Sequence, residues 1–459
     1  MTLCRAVRRR FGLALPGILL PALLLIALLG VNPAVAQDPM SSPGASPSPS
    51  AAAPSAPPAE VKGYTLSPEK YQDAVNYARA RYRLHFLNVA YGLAVLVVLL
   101  ALGVAPRFRD WAEKLTSRRM GQLVVFAPLL VMTLSLLGLP LEVYGQSLSL
   151  KYNQSIQPWG SWAWDWVKGQ MIGVIISTIL IGVLYAVLRR SQRRWWFYFW
   201  LASTPILVFI LFISPVLIDP LFFEFTPLET TQAELVAAIE KVVDRGGLSI
   251  SRDRMFEMNA SIKLKSVNAY VTGFGASKRV VVWDNTIQRM TIPQTLFVFG
   301  HEMGHYVLGH IPRTIGVLAA VLLVFLYLGY RGMNALLARW GERWRIRGAG
   351  DWASLPVLLL LLTVFQFLRE PIDSAYSRVL EHDADIYGLE VIHGIVDDAQ
   401  SAGSEAFQIL GEVNLSDPDP PAFIEFWLYD HPSVSDRVVF ARTYDPWSKG
   451  EPTRFVPAR

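Results

Sequence analysis

The sequence predicts a mainly α-helical membrane protein with several spans and a small β-hairpin or sheet outside the bilayer. Of its 459 residues, 52% are hydrophobic and 17% are charged, and the mean hydropathy is +0.33. Water-soluble domains usually hold less apolar sequence than this. Apolar segments of about 20 residues, the length that crosses hydrocarbon as a helix, recur along the chain.

The N-terminus has the order of a secretory leader. Four basic residues within the first ten precede the apolar run 11–30 and an A-x-A site that ends at Ala36. This order predicts a signal peptide over 1–36, or an uncleaved anchor, because the apolar run is long enough to span. Either outcome leaves residue 37 outside the cytoplasm.

The rest of the chain divides into alternating apolar and polar regions. Residues 37–62, rich in Pro, Ser and Ala, predict a disordered linker. We expect four spans in an N-terminal transmembrane region, 63–218, and two more in 312–372. The expected spans lie at roughly 86–105, 121–144, 169–188, 195–218, 312–332 and 353–371. The polar regions 219–311 and 373–459 must meet outside the bilayer if they form one domain.

The first polar region predicts a helix followed by a hairpin. Thr231 and Glu234 have the spacing of a capping box, and the helical apolar pattern ends at Gly246-Gly247. Two β-prone runs, NAYVTGFG and KRVVVWD, are separated by Ala276-Ser277 and predict the hairpin. An edge strand at this place could hold an extended peptide through main-chain hydrogen bonds.

The stretch HEMGHYVLGH, residues 301–310, carries the spacing of a zinc-binding helix. His301 and His305 are four residues apart, so on a helix they share one face and can converge on one zinc ion. Glu302 can then take a proton from a water molecule that zinc has acidified. The chain's one cysteine, Cys4, lies in the leader, so the remaining ligands must be His, Asp or Glu.

A third ligand is predicted in SRVLEHDADIYG, residues 377–388, just after the last apolar segment. Glu381 and Asp385 lie one helical turn apart there. Glu381 can complete a three-ligand site for one zinc ion per chain, while Asp385 orients a liganding histidine.

Five motifs together resemble one family. HEMGHYVLGH, SRVLEHDAD, KSVNAYVTGFGASKRVVVWD, DPLFFEFTPLE and NLSDPDPPAFIEFWLYDHPSVSDRV, with membrane helices between them, are similar to the type I CAAX prenyl protease family of integral-membrane zinc endopeptidases. The resemblance, to a bacterial relative, covers about residue 65 to the C-terminus. It implies a zincin-like metallopeptidase domain with the first part in 219–311 and the second in 373–459.

The resemblance also implies roles for individual residues. It assigns the zinc ligands to His301, His305 and Glu381, the general base to Glu302, and the supporting carboxylate to Asp385. Two further residues would stabilise the tetrahedral intermediate, since an amide N–H and an imidazole can both donate to an oxyanion. These are Asn268 of NAY and His431 of DHP.

Other histidines and arginines have structural interpretations. His310 is five residues beyond His305 and near Pro312, so we expect a helix-end or interface histidine. The further histidines expected to be structural are His85, His382 and His393. Arg378 and Arg437 either pair with the carboxylates of the site or anchor the chain at the membrane interface.

Charge bias predicts the orientation in the membrane. The short loops 106–119, 189–194 and 331–347 carry five, four and five Lys and Arg residues, and six-span bookkeeping places all fourteen on one face. Seven basic residues lie on the opposing face. The richer face should be cytoplasmic, which places both polar regions outside it, whereas the resembled family has its zinc domain in the cytosol. The expected location is the bacterial inner membrane.

The function expected from these patterns is that of a membrane zinc metalloendopeptidase. Its substrates would be peptides or proteins, with or without a lipid, and its roles would be processing or quality control of membrane proteins and lipopeptides. The alternative is an inactive zinc-binding scaffold or chaperone. A transporter is disfavoured because most ionisable residues lie in loops. The net charge of +5 is a topology signal, so no nucleic-acid partner is expected. The oligomeric state is open.

Overall fold

The computed structural model describes residues 59–61, 63–273 and 278–457, and it confirms the predicted fold class. The described chain is mostly helical, with six helices that could span a membrane and one small mixed sheet. The predicted leader lies outside the described residues, as does nearly all of the predicted linker. The last residues of that linker, Ala59–Val61, form a strand.

The elements follow one another in an order that separates the spans into two groups. In chain order the helices are α1 Pro68–Ala101, α2 Val104–Leu115, α3 Arg119–Lys151, α4 Trp159–Arg190, α5 Trp195–Leu217, α6 Leu228–Thr231, α7 Ala233–Arg245, α8 Asp284–Arg289, α9 Ile292–Val307, α10 His310–Trp340, α11 Leu355–Ile392, α12 Ala399–Asn414, α13 Ala422–Leu428 and α14 Val434–Thr443. The strands are β1 Ala59–Val61, β2 Tyr64–Leu66, β3 Phe225–Pro227, β4 Met255–Met258, β5 Ala269–Thr272 and β6 Arg279–Trp283.

Six helical segments are long and apolar enough to cross a membrane, one at each predicted position. They are α1, α3, α4, α5, α10 and the segment Trp352–Ile392, which contains α11. The first helix ends at Ala101, earlier than the predicted end at residue 105. Gly103 takes a left-handed conformation there, with a φ of 64°, and turns the chain into α2, which the sequence did not predict.

The Arg-rich loops meet at one end of the bundle. Arg109 on α2 donates to the Asp351 carboxylate at 2.6 Å, and Arg347 donates to Glu113 at 2.8 Å. Arg189, near the end of α4, donates to the Gly350 carbonyl at 3.0 Å. The three predicted basic loops therefore share one end of the bundle.

The polar regions pack at the other end. Lys263 contacts Asp165 near the start of α4, with 2.7 Å between Nζ and Oδ2. Asp165 and Arg189 are 24 residues apart on one helix, which is about 36 Å along its axis. Tyr82 on α1 donates to Asp417 of the second polar region at 3.1 Å. The two polar regions thus lie on the side opposite the Arg-rich loops.

The strand pair β1–β2 also lies on this side. Gln408 of α12 binds both backbone groups of Thr65 in β2, accepting at 3.2 Å and donating at 2.6 Å. Tyr64 packs against Gly411. The segment that follows the linker therefore docks on the second polar region.

The mixed sheet has the strand order β3-β4-β6-β5. Strands β5 and β6 pair antiparallel as the predicted hairpin, with Ala269 opposite Val282, while β4 and β6 are parallel. The connection 274–277, which includes Ala276-Ser277, lies outside the described residues. Alternate side chains face opposite ways: Val280 and Val282 pack on the helical core of the polar regions, and Val281 packs on Phe222 and its neighbours. The sheet is buried on both faces.

The predicted capping box is wrong, although the predicted helix is present. Thr231 ends the short helix α6, and its hydroxyl donates to Glu257 of β4 at 2.6 Å instead of capping α7. The N-cap of α7 is Gln232, without a side-chain cap. Helix α7 stops at Gly246, and Gly247 takes a φ of 68°.

Helices α9 and α11 form the centre of the domain. Helix α11 runs without a break from the last span into the second polar region, where the sequence analysis had drawn a boundary at residue 372. Glu381 lies 26 residues after Leu355, about 39 Å along the axis, which exceeds the roughly 30 Å of hydrocarbon. One helix therefore both spans the membrane and supplies the predicted third ligand.

Candidate metal centre

Helix α9 places the two histidines of the motif on one buried face. The helix begins with a capping box in which Thr291 and Gln294 satisfy each other's backbone groups. His301 and His305 follow one turn apart, both almost fully buried, and their Nε2 atoms are 3.2 Å apart.

Helix α11 brings the third donor to the same point. Glu381 is 1% exposed, and its Oε2 and Oε1 atoms lie 3.2 Å from His301 Nε2 and 3.1 Å from His305 Nε2. A tetrahedral zinc site with bonds of about 2.0–2.1 Å has ligand atoms roughly 3.3 Å apart. Two imidazoles and one carboxylate also match the donor set of zinc sites with an open position. The residues present therefore fit a zinc ion.

Asp385 and Arg437 support His301 from behind. His301 Nδ1 is 2.7 Å from Asp385 Oδ1, and Arg437 on α14 donates to both Asp385 oxygens at 2.9 and 2.5 Å. Burial lowers the pKa of His301, and the Asp385 carboxylate opposes this effect. A lowered pKa keeps the imidazole neutral, the form that binds metal. For Arg437, pairing with a site carboxylate is the correct alternative and interface anchoring is wrong.

His431 reaches the cluster from the turn after α13. Its Nε2 atom is 3.1 Å from Glu381 Oε2, and its Nδ1 atom is 3.0 Å from Asp430 Oδ1. The side chain is one-quarter exposed, in contrast to the buried ligands. His431 therefore stands on the open side of the cluster, where a substrate would enter.

Arg378 holds the segment that carries His431. It donates to the backbone carbonyls of Glu425 and Tyr429, at 3.1 and 2.5 Å. Ser374, one turn earlier on α11, donates to the Trp427 carbonyl at 3.1 Å. Arg378 thus contacts backbone carbonyls, neither of its two predicted roles, because the end of α13 leaves these carbonyls without helical partners.

Asn268 and Glu302 are placed by their backbone positions. Asn268 immediately precedes β5, and its backbone N–H donates to the Thr286 hydroxyl at 2.6 Å while its carbonyl accepts from Trp283 at 2.9 Å. The strand packs against α9. Glu302 follows His301 on α9 and is partly exposed. Direct contacts join the other predicted site residues, from His301 to His431, into one cluster.

The remaining histidines have distinct surroundings. His85 is 3.1 Å from Glu370 inside the bundle, His382 lies edge-on to Phe440, and His393 stacks on Trp447. His310 differs from these because its Nδ1 atom is 3.0 Å from His305 Nδ1. The prediction of a helix-end histidine holds for its position, since it begins α10, but omits its contact with the cluster.

Comparisons with known proteins agree with this architecture. Residues 50–224 match the CAAX prenyl protease N-terminal model, described as five membrane helices, and four candidate spans of the described chain lie there. Residues 229–445 match the model of peptidase family M48.

Individual relatives extend along most of the chain. The uncharacterised metalloprotease YhfN of Bacillus subtilis is 37% identical over 397 residues, which are 84% of this chain and 90% of that protein. A CAAX prenyl protease 1 homolog of Dictyostelium discoideum is 30% identical over 47% of this chain and 52% of its own length. The crystal structure of S. mikatae Ste24p has the same fold, with a TM-score of 0.71 at 24% identity over 82% of this chain and 89% of that chain. This chain belongs to peptidase family M48 and is a multi-pass membrane metalloprotease.

Proposed function

We propose that this protein is a zinc endopeptidase that hydrolyses peptide bonds at the cluster of His301, His305 and Glu381. The observation that carries the proposal is the convergence of two Nε2 atoms and one carboxylate within 3.1–3.2 Å of one another. Zinc held there would acidify the attacking water and polarise the scissile carbonyl.

The side chains around the cluster divide the proton transfers. The Glu302 carboxylate accepts a proton from the water whose oxygen attacks the carbonyl carbon. It then delivers that proton to the amine nitrogen as the carbon–nitrogen bond breaks. His431 and the Asn268 amide donate hydrogen bonds to the oxyanion. Asp385 holds His301 in the orientation that directs Nε2 at the metal.

The substrate would bind as an extended peptide along β5. This strand is at one edge of the sheet as described, beside α9, and Asn268 precedes it directly. An edge strand offers main-chain groups that pair with any sequence. This mode of binding supports an endopeptidase with broad side-chain tolerance.

We further propose that the catalytic face is extracytoplasmic in a bacterial inner membrane. The strands after the linker dock on the second polar region, so the side that receives residue 37 also holds the cluster. The Arg-rich loops lie at the opposite end, as the positive-inside rule requires of the cytoplasmic face.

This orientation bears on the substrate. Relatives bear the name CAAX prenyl protease, which supports lipidated peptides as one substrate class. An extracytoplasmic site instead meets lipoproteins and fragments of membrane proteins, which supports processing and quality control. An inactive scaffold is not favoured, because the base position retains Glu302.

The Glu302→Gln variant tests the proposed function. Removal of a general base typically lowers the rate by about 10²–10⁴-fold, while the three ligands remain. We expect full zinc content and at least a hundredfold loss of cleavage across a panel of unfolded and isoprenylated peptides. Glu342→Gln, at the opposite end of the molecule, is the matched control. Undiminished cleavage by Glu302→Gln would exclude Glu302 as the base.

A further inference from the structure

We infer that His310 is a positioning residue for the proposed metal site: it accepts a hydrogen bond from Nδ1 of His305 and so fixes the direction of His305 Nε2. This inference rests on the proposed zinc chemistry. It concerns the second ligand, whose outer partner the sequence did not reveal.

The geometry at the outer side of His305 defines the donor and the acceptor. The two Nδ1 atoms are 3.0 Å apart, the ring planes meet at 69°, and both side chains are buried. The Nε2 atom of His305 faces His301 and Glu381, so a metal ligand at this position must carry its proton on Nδ1. Only one proton fits between the two Nδ1 atoms. His310 Nδ1 is therefore the acceptor, and the proton of His310 is on Nε2.

A break between two helices makes this contact. On a continuous helix a residue five positions after His305 would lie about 140° around the axis and point elsewhere. Gly309 takes a φ of 68° between α9 and α10, a conformation that glycine adopts without strain. The turn brings His310, the first residue of α10, back over His305. The link also ties a ligand of the proposed metal directly to the start of a candidate span.

The two histidine ligands then have different outer partners. His301 is supported by the Asp385 carboxylate, and His305 by an uncharged imidazole. A neutral acceptor adds no further negative charge to a cluster that already holds Glu381, Glu302 and Asp385. Loss of such an outer partner typically weakens metal binding by about 10–100-fold.

The test compares His310→Phe with His310→Asn in the full-length protein. Phe keeps a buried ring but has no acceptor, whereas the Asn Oδ1 atom can accept near the position of Nδ1. Zinc dissociation constants are measured by competition with a chelator, and apo-protein melting temperatures report folding separately. We expect roughly 10–100-fold weaker zinc binding in His310→Phe and recovery of most of that loss in His310→Asn. His393→Leu, which removes a histidine stacked on Trp447, is the control and should bind zinc normally.

Two outcomes would overturn the inference. Unchanged zinc affinity in His310→Phe would show that no acceptor is needed, and equal losses in both variants would show that ring packing alone matters. His310→Leu is the second acceptor-free variant if His310→Phe does not fold. A wild-type protein that binds no zinc would instead contradict the proposed function, so the two failures are distinguishable.

Discussion

At the scale of single residues, spacing predicted the ligands but not their supports. His301 and His305 are one turn apart within a motif, and Glu381 has the same spacing to Asp385, so local periodicity carries this information. Arg437 lies 52 residues beyond Asp385 and reaches it only because α14 packs beside α11. Nothing in the local sequence indicates that contact. Positions such as Arg378 and His310 were missed for the same reason: their partners are backbone carbonyls or a turn.

Replacement of Arg437 by Met should strongly destabilise the protein. The arginine and Asp385 are both buried, and removal of one partner of a buried pair typically costs about 3–5 kcal/mol because the remaining charge is uncompensated. Thermal unfolding and zinc affinity, measured in the same detergent, should both decrease.

The matched control is Arg454→Met. Arg454 pairs with Asp383 at 3.0 Å but is more than half exposed, and exposed pairs contribute roughly 0–1 kcal/mol. Equal destabilisation by the two substitutions would contradict a supporting role for Arg437.

At the scale of elements, the sequence predicted each span and the hairpin, but not how α9 and α11 approach each other. Three glycines at their interface, Gly300, Gly304 and Gly388, permit the close contact that joins Glu381 to the two histidines. Helix α2 was missed because its basic residues resemble a polar loop, and the capping box failed because a β-strand competed for the Thr231 hydroxyl. Tertiary contacts outweigh local signals at both positions.

The Gly388→Ala substitution should push α9 and α11 apart. A methyl group at this position would lie 3.1 Å from the backbone nitrogen and 3.3 Å from the Cα atom of His301, and backbone atoms cannot rotate away. We expect a loss of about 1–3 kcal/mol in the free energy of unfolding, as for other overpacked cores, with weaker zinc binding.

Gly316→Ala on α10 provides the comparison. No atom lies within 4 Å of a methyl group added there, so the change should be neutral or stabilising by up to about 1 kcal/mol through helix propensity. Thermal unfolding of both variants measures the difference. A stable Gly388→Ala protein with normal zinc affinity would argue against close packing as the cause of ligand convergence.

At the scale of the whole molecule, hydropathy predicted the six spans, because burial in lipid leaves a long apolar signature. The meeting of two polar regions separated by α10 and the last span could only be expected, since sequence does not specify how distant segments dock. Orientation depends on the leader and on the Arg-rich loops, whose arginines also bind Asp351, Glu113 and backbone carbonyls at one end of the bundle.

Cysteine labelling tests the orientation. With Cys4 replaced by Ser, the chain contains no other cysteine. A membrane-impermeant maleimide added to spheroplasts should label Asp253→Cys, whose parent side chain is 78% exposed on the catalytic side, and should not label Arg193→Cys in the loop after α4. Labelling of Arg193→Cys alone would place the catalytic face in the cytoplasm.

The central claim is that the buried cluster binds zinc and that Glu302 performs proton transfer beside it. It is tested most directly by measuring zinc content and peptide cleavage in one preparation of Glu302→Gln alongside wild type. We predict one zinc ion per chain in both proteins, with cleavage reduced by about 10²–10⁴-fold in the variant. Full cleavage by Glu302→Gln, or cleavage by a wild-type protein from which all zinc has been removed, would contradict the claim.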